Sequence, residues 1–501
     1  MANTLGGTVG QILFGRLGDI FGRRWLWIGS NIIVLIGSIV AATAGSIPAM
    51  IVANALIGFG AAAQLAYAAT LGELLPYKAR GFVSAIVFIS ALPTNAFGPI
   101  VAKSFIAHTV QTWRWCYYLN IITTAIAIVA AFFFYHPPTF AMLHVNKPKW
   151  QQVKSLDYGG LVLLLGGLVI FLLGLNWGGS LYPLASGHVI ATLVVGLLSL
   201  VGFVVYEFTV PVDPIIPPTL MKNRQVVLII GVACVGGMIF YGMSIVWPAM
   251  VATLFTSDLI HQGWLTMSCT AGAALGNIVA GACFRLGKFR WQLTFASVMV
   301  TIFFGAMASV NQHTLARGVA FTVLGTFFAG WLESPTMTAV SLAVDQSDIG
   351  LVVGMLNTIR VCFGSIAVAI YETILTNRDA SLSARYIPHD AMAAGLPSSS
   401  LTALGVALTN GTTSALSRVP GMNPVIESAI AVAQGKAYAG AANLVFLVTM
   451  AFGVLAVIGS LFVGNFDTYL TNEVSRRIHS TPDRKVTPPL GSSSEGHVEK
   501  V

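Results

Sequence analysis

The sequence predicts an all-α polytopic membrane protein, and three observations carry the prediction. Of 501 residues, 56% are hydrophobic and only 9% are charged. Mean hydropathy is +0.80. The apolar residues fall in continuous runs of about 20, the length an α-helix needs to cross ~30 Å of hydrocarbon. In lipid, every backbone polar group must be satisfied within its own segment or in a closed barrel. These runs are rich in Leu, Ile, Val, Ala and Gly and lack the alternation of barrel strands, so they read as helices.

Taken in order, about twelve spans lie near 25–44, 50–70, 81–105, 115–135, 157–176, 188–208, 226–250, 263–284, 291–310, 318–341, 349–376 and 440–463. Residues 1–14 (MANTLGGTVGQILF) are apolar and compatible with a helix but reach only about 21 Å. The chain is therefore expected to start inside a helix. No basic, apolar and cleavage regions follow one another there, so a signal peptide is not expected.

Charge supplies the orientation. With the Gly15–Trp25 segment placed in the cytoplasm, the loops on that side hold Arg16, Arg23 and Arg24; Lys78 and Arg80; Lys147, Lys149 and Lys154; Lys222 and Arg224; and Arg285, Lys288 and Arg290. The short loops on the other side carry only Arg114 and Arg317. This is the positive-inside bias, and it places the C-terminal tail in the cytoplasm. The net charge of +8 is spread over many loops, so the expected partner is the lipid bilayer and not nucleic acid. The five cysteines show neither zinc nor CxxC spacing and read as small packing residues.

Four regions follow. Residues 1–135 form an N-terminal helical bundle, truncated at its start. Residues 136–224 hold cytoplasmic loops and two linking helices. Residues 225–464 form a C-terminal bundle with a long external loop at 377–438, and residues 465–501 form a tail whose Pro- and Ser-rich end is expected to be partly disordered. The loop contains the sequon Asn410-Gly411-Thr412, which makes Asn410 a candidate glycosylation site. An internal repeat links the halves. GQILFGRLGDIFGRRW (10–25) aligns without gaps on GNIVAGACFRLGKFRW (276–291), matching Gly10 with Gly276, Gly15 with Gly281 and Trp25 with Trp291. Parallel repeats of this kind build transporters from two related bundles.

The stretch GRLGDIFGRRW puts four charges into eleven residues of a chain whose charged fraction is only 9%. Its Gly15, Leu17, Asp19, Gly22, Arg23 and Arg24 resemble the G-x-L-x-D-x-x-G-R-[RK] loop motif of the major facilitator superfamily. The resemblance implies a two-bundle fold and a charged latch that favours one access state. A narrower resemblance spans GFGAAAQLAYAATLGELLPYKAR (58–80), WRWCYYLN (113–120), FFFYHPP (132–138), LDYGGLVLLLG (156–166), IRVCFGSIAVAIY (359–371) and FDTYLTNEVSRRIH (466–479). Together these look like the fungal trichothecene efflux pump family, a fourteen-helix branch close to siderophore-iron transporters. That branch has two extra helices between its bundles, which 157–208 would supply, and it implies that the first transmembrane helix is missing here. Two family positions differ. Where drug:proton antiporters carry an arginine in R-x-x-x-G-x-G, this chain has Asn54 ahead of Gly58 and Gly60. The fifth-helix antiporter motif keeps Gly98-Pro99 but has Ala102 and Lys103 in place of its final glycines. Gly58, Gly60, Gly98 and Pro99 are expected to serve helix packing, and protons as coupling ion are a family expectation.

Ionisable groups in hydrocarbon cost about 2.5–3.5 kcal/mol each on insertion scales, so each one within a span is a candidate functional group. Glu333 in FFAGWLESPTM and Arg360 in GMLNTIRVCFGS stand on consecutive spans. Pro335 leaves the Trp331 carbonyl without a helical donor, which should loosen the helix beside Glu333. An ion pair that merely locks two helices would also make both residues tolerable. Asn54, Gln64, Asn95, Tyr67 and Asn357 could line a cavity or bond between helices. Trp247, Phe240, Tyr241 and Trp331 could wall a bulky apolar ligand. No catalytic constellation, cofactor motif, metal set or Walker-type loop is present in the sequence. The expected function is therefore secondary transport by alternating access, exporting a hydrophobic small molecule such as a toxin or drug across the plasma membrane. Siderophore-iron import is the second transport reading, and a non-transporting sensor or scaffold is the reading from another class.

Overall fold

The computed structural model describes residues 2–21, 23–64, 79–136, 157–178, 182–183, 185–210, 218–344, 349–410 and 419–465. Apart from connections they are helical, and eleven of the helices are long and apolar enough to cross a membrane. The first five are α1 (Ala2–Phe21), α2 (Arg23–Thr43), α3 (Ile47–Ala61), α4 (Arg80–His108) and α5 (Arg114–Phe134). A hairpin follows, made of α6 (Tyr158–Trp177) and α7 (Gly187–Thr209). The remainder comprises α8 (Arg224–Met250), α9 (Leu259–Cys283), α10 (Phe289–Met307), α11 (Leu315–Val340), α12 (Ile349–Ala393), α13 (Leu401–Asn410) and α14 (Pro424–Phe462). α1 continues well past residue 14 to 20 residues, ~30 Å. Most of the GRLGDIFGRRW stretch is thus the end of α1 and the start of α2 rather than a loop.

Local chemistry sets the helix starts. The Ser46, Asp157, Ser186, Asn223, Asp258 and Asn423 side chains each accept a backbone N–H of the following first turn, at α3, α6, α7, α8, α9 and α14. Asp157 also accepts the Tyr206 hydroxyl at 3.0 Å, which fastens the two hairpin helices at that end. Along the hairpin Gly167 faces Ser199, Gly174 faces Thr192 and Gly196 faces Phe171, so small residues let the backbones approach. The outer face of α7 exposes Val194, Leu198, Val201 and Val205, as a lipid-facing helix should.

Packing repeats between the halves. α1 lies on α3 as α9 lies on α11, α2 on α3 and α5 as α10 on α11 and α14. Across the middle the pairs cross over: α4 packs along α9 and α1 packs along α12. The aligned glycines explain the matching pairs α1–α3 and α9–α11. Gly10 sits under the Phe59 carbonyl, and its counterpart Gly276 sits under the Phe327 carbonyl. Gly6 on Ala55 and Gly272 on Val323 repeat the contact one turn earlier. α8 is the most enclosed span, with Trp247 fully buried and its indole N–H donating to the Leu265 carbonyl at 3.0 Å.

The expected long loop at 377–438 is mostly helix. α12 extends to Ala393, 45 residues or ~67 Å, and α14 already begins at Pro424. These exceed any bilayer, so their ends project as a cap together with α13. Ile387 and Ala391 on α12, Leu404 on α13, and Ile426, Ile430 and Ala433 on α14 form a separate apolar core. Their three- and four-residue spacing is a helical stripe that a search for fully apolar runs overlooks. α12 stops at Gly395, which has φ 102°, with the Leu396 N–H reaching back to the Ala391 carbonyl. Asn410 ends α13; its side chain and the rest of the sequon lie outside the described residues.

Candidate functional site

Glu333 and Arg360 meet. Arg360 Nη1 donates to Glu333 Oε1 at 2.6 Å, and their side chains are 7% and 20% exposed for Arg360 and Glu333 respectively. α11 and α12 bring them together because each lies deep within its span. Gly237 of α8 makes room: a Cβ there would stand 2.6 Å from Arg360 Cγ and 2.8 Å from its carbonyl oxygen. Tyr241, one turn further along α8, packs its ring on Gly364 and lies within electrostatic reach of both charges. Asn357 is buried on α12 three residues before Arg360, on the same face.

A third side chain joins the pair that the sequence reading did not single out. Asn277 of α9 donates from Nδ2 to Glu333 Oε2 at 3.3 Å and to the Ala273 carbonyl at 3.2 Å. The site therefore ties α9, α11 and α12 together, with α8 behind it. Its signal in the sequence was a single amide in the apolar run AGAALGNIVAGA, the same class of signal that drew notice to Asn54 and Asn357. Pro335 is buried on α11 two residues after Glu333, and the helix continues through it to Val340. The loosening that Pro335 predicts beside Glu333 thus does not break α11 there.

The other candidates stand apart from this cluster. Gln64 donates to Asn31 Oδ1 at 2.9 Å, and Asn54 donates to the Met50 carbonyl at 2.9 Å and reaches the Tyr117 hydroxyl at 3.5 Å. Both are bonds between or within helices of the first half. Asn95 is exposed on α4. Gly58 and Gly60 seat neighbours closely: Gly58 lies under the backbone of Asn3 on α1, and Gly60 under Ser30 and Val34 on α2. Gly98 does not fit the packing expectation, since a Cβ there would meet nothing within 4 Å. The face of α4 that meets α9 runs through Gly81, Ala85, Ile100 and Lys103 instead, and Gly98 points off it. Pro99 is inside α4, which stays helical through it.

Of the latch motif, Gly22, the surroundings of Gly15 and the side chains of Leu17, Asp19 and Arg23 lie outside the described residues. Arg24 donates from Nη2 to the Phe132 carbonyl at 2.6 Å and stacks over the Phe132 ring, which joins α2 to the end of α5. A different residue bridges the halves at this end. Arg80 at the start of α4 is 2% exposed and donates to Ser341 Oγ, just past α11, at 3.1 Å. All five cysteines are free.

Known proteins resemble this chain in the same sense as its geometry. The fungal trichothecene efflux pump (TRI12) family matches residues 2–493. A trichothecene efflux pump of Fusarium sporotrichioides is 31% identical over 96% of this chain and 81% of its own length. One from Trichoderma arundinaceum is 33% identical over 96% of this chain and 82% of its own. Among solved structures, the major facilitator proton:xylose symporter XylE superposes with a TM-score of 0.52 at 14% identity, covering 93% of this chain and 85% of that one. That likeness gives the fold. The chain is a multi-pass membrane protein and a secondary transporter exporting small molecules, and it belongs to the fungal trichothecene efflux pump family of the major facilitator superfamily.

Proposed function

We propose that this chain exports an apolar toxin of the trichothecene type across the plasma membrane, driven by proton entry through the Glu333–Arg360 pair. The observation that carries the reading is the 2.6 Å contact between these two charges on consecutive spans. A pair buried in hydrocarbon must stay nearly neutral, and taking up one proton converts it to a net cation. That change gives the two access states different energies, which is what couples a proton to a solute. The basic loops set the orientation, with the tail in the cytoplasm. The cargo class follows the relatives named for trichothecene efflux. Siderophore import gains no support from relatives of this kind.

Inside-out vesicles loaded by an imposed pH gradient test the reading. Glu333→Gln and Arg360→Gln should each lose abundance, since each leaves one buried charge alone. The double variant should regain abundance and still fail to accumulate a labelled trichothecene against its gradient. Full recovery of uphill export in the double variant would make the pair a structural lock only.

A further inference from the structure

Asn277 stands against Glu333 with its hydrogen-bonding capacity only partly used. It is 4% exposed, both of its amide hydrogens are engaged, and its Oδ1 is buried without a hydrogen-bond donor. A buried acceptor left unmet costs about 1–3 kcal/mol. Glu333 beside it presents Oε1 to Arg360 and Oε2 to the Asn277 amide. In this arrangement the Asn277 N–H can serve only an ionised or acceptor oxygen, while its Oδ1 can serve only a donor.

We propose that Asn277 is the positioning residue that holds Glu333 in both of its protonation states. This rests on the reading of Glu333 as the proton carrier. With the carboxylate ionised, Nδ2 donates to Oε2 as seen here. When a hydronium ion on the open side gives its proton to Oε2 and leaves as water, the amide rotates about χ2, its Nδ2 bonds to Oε2 and to the Ala273 carbonyl are given up, and Oδ1 accepts the new O–H. The pair gains one positive charge; releasing the proton to water on the other side reverses these changes. The Ala273 carbonyl loses only an extra donor, because the backbone N–H of Asn277 still serves it within α9. The ionisable groups facing Glu333 are Arg360 from α12 and Tyr241 from α8. α9 faces it with neutral Asn277, and the one charged residue of α10, Arg290, stands at that helix's first turn.

Three variants in proteoliposomes test this, with export of a labelled trichothecene measured across a pH series. Asn277→Asp keeps the shape, removes the donor and adds an oxygen that can share a proton with Glu333. It should move the midpoint of the pH profile upward by about one unit or more. Asn277→Leu should lower uphill export about tenfold or more. A wild-type midpoint in Asn277→Asp, or wild-type uphill export in Asn277→Leu, would overturn the proposal. Glu333→Gln separates this from its premise: if that variant retains uphill export, the carrier reading falls first. If it loses export while both Asn277 variants behave as wild type, only the Asn277 role falls. Should either Asn277 variant not fold, acid-induced infrared difference spectra of the wild type labelled at asparagine decide. The amide carbonyl band should shift together with the appearance of a neutral carboxyl band, and neither should occur in Glu333→Gln. An unmoved amide band would overturn the proposal.

Discussion

Gly281 of α9 lies on Gly81 of α4: a Cβ added to Gly281 would stand 2.7 Å from the Gly81 carbonyl oxygen and 3.0 Å from the Ala85 methyl. Phe284 covers Gly81 from the same side. At the other end of this seam Gly263 lies 2.8 Å, by the same measure, from the Ile100 backbone. The two helices thus touch nearly backbone to backbone over their length.

A seam so close must part at one end for solute to enter. Gly281→Leu would wedge the end bearing the basic loops, at an overpacking cost of about 1–3 kcal/mol in the closed arrangement. Trichothecene export per folded molecule in vesicles should fall about tenfold. Wild-type export would mean that the seam stays shut throughout the cycle.

The opposite end is held by polarity. Lys103 Nζ donates to Gln262 Oε1 at 2.9 Å, while Gln262 Nε2 donates to the Thr256 carbonyl. Gln262→Glu would turn this neutral acceptor into an ion-pair partner, and charge-assisted bonds are roughly twice as strong. The closed state at this end should gain about 1–1.5 kcal/mol, so turnover should slow about fivefold to tenfold. High salt should not restore it, because the pair is only partly open to solvent. An unchanged rate in the variant would remove this contact from the gating step.

The three glycines of the family motifs should behave differently from one another. Gly58→Val and Gly60→Val push side chains into the backbones of α1 and α2, so both variants should lose most folded protein on detergent size-exclusion profiles. Gly98→Ala meets open space and also gains helix propensity, about 0.5–1 kcal/mol relative to glycine. It should be as abundant as wild type or more so. Loss of Gly98→Ala protein would contradict the packing described here.

How much of this was legible in the sequence depends on whether the signal was local. The order of the spans and the Glu333–Arg360 candidates followed from apolar run length and from the rarity of charge within it. The pairing of Gly10 with Gly276 in sequence even anticipated matching contacts under Phe59 and Phe327. Three things were not legible. Residues 377–393 and 424–438 are amphipathic, so an apolar-run criterion misses them although Ile387, Ala391, Ile426 and Ile430 carry a helical stripe. Asn277 is one polar residue among several, and only its approach to Glu333 distinguishes it. Gly98 shares a motif with residues that pack, yet the rotation of α4 about its axis, which sequence does not give, turns it away from α9.

The cap offers the last prediction, because its core is separate from that of the membrane region. Ile430 of α14 is buried against Ile387, Leu404 and Ile426, with Lys436 Nζ pairing to Asp390 Oδ2 at 3.2 Å nearby. Ile430→Ala removes buried methylenes and leaves a cavity, which costs about 2–5 kcal/mol in a well-packed core and falls at the low end in one this small. About 2 kcal/mol corresponds to an opening equilibrium raised roughly thirtyfold, and protease cleavage of a transiently opened segment tracks that equilibrium. Limited proteolysis from the cap side should therefore cut within 377–438 at least tenfold faster than in wild type. The spans of α12 and α14 keep their own buried contacts, Leu356, Val445 and Phe446 among them, so export should remain within about twofold. Faster cleavage with intact export would make the cap a passenger on the two long helices. Loss of export in parallel with cleavage would place the cap on the path the solute takes.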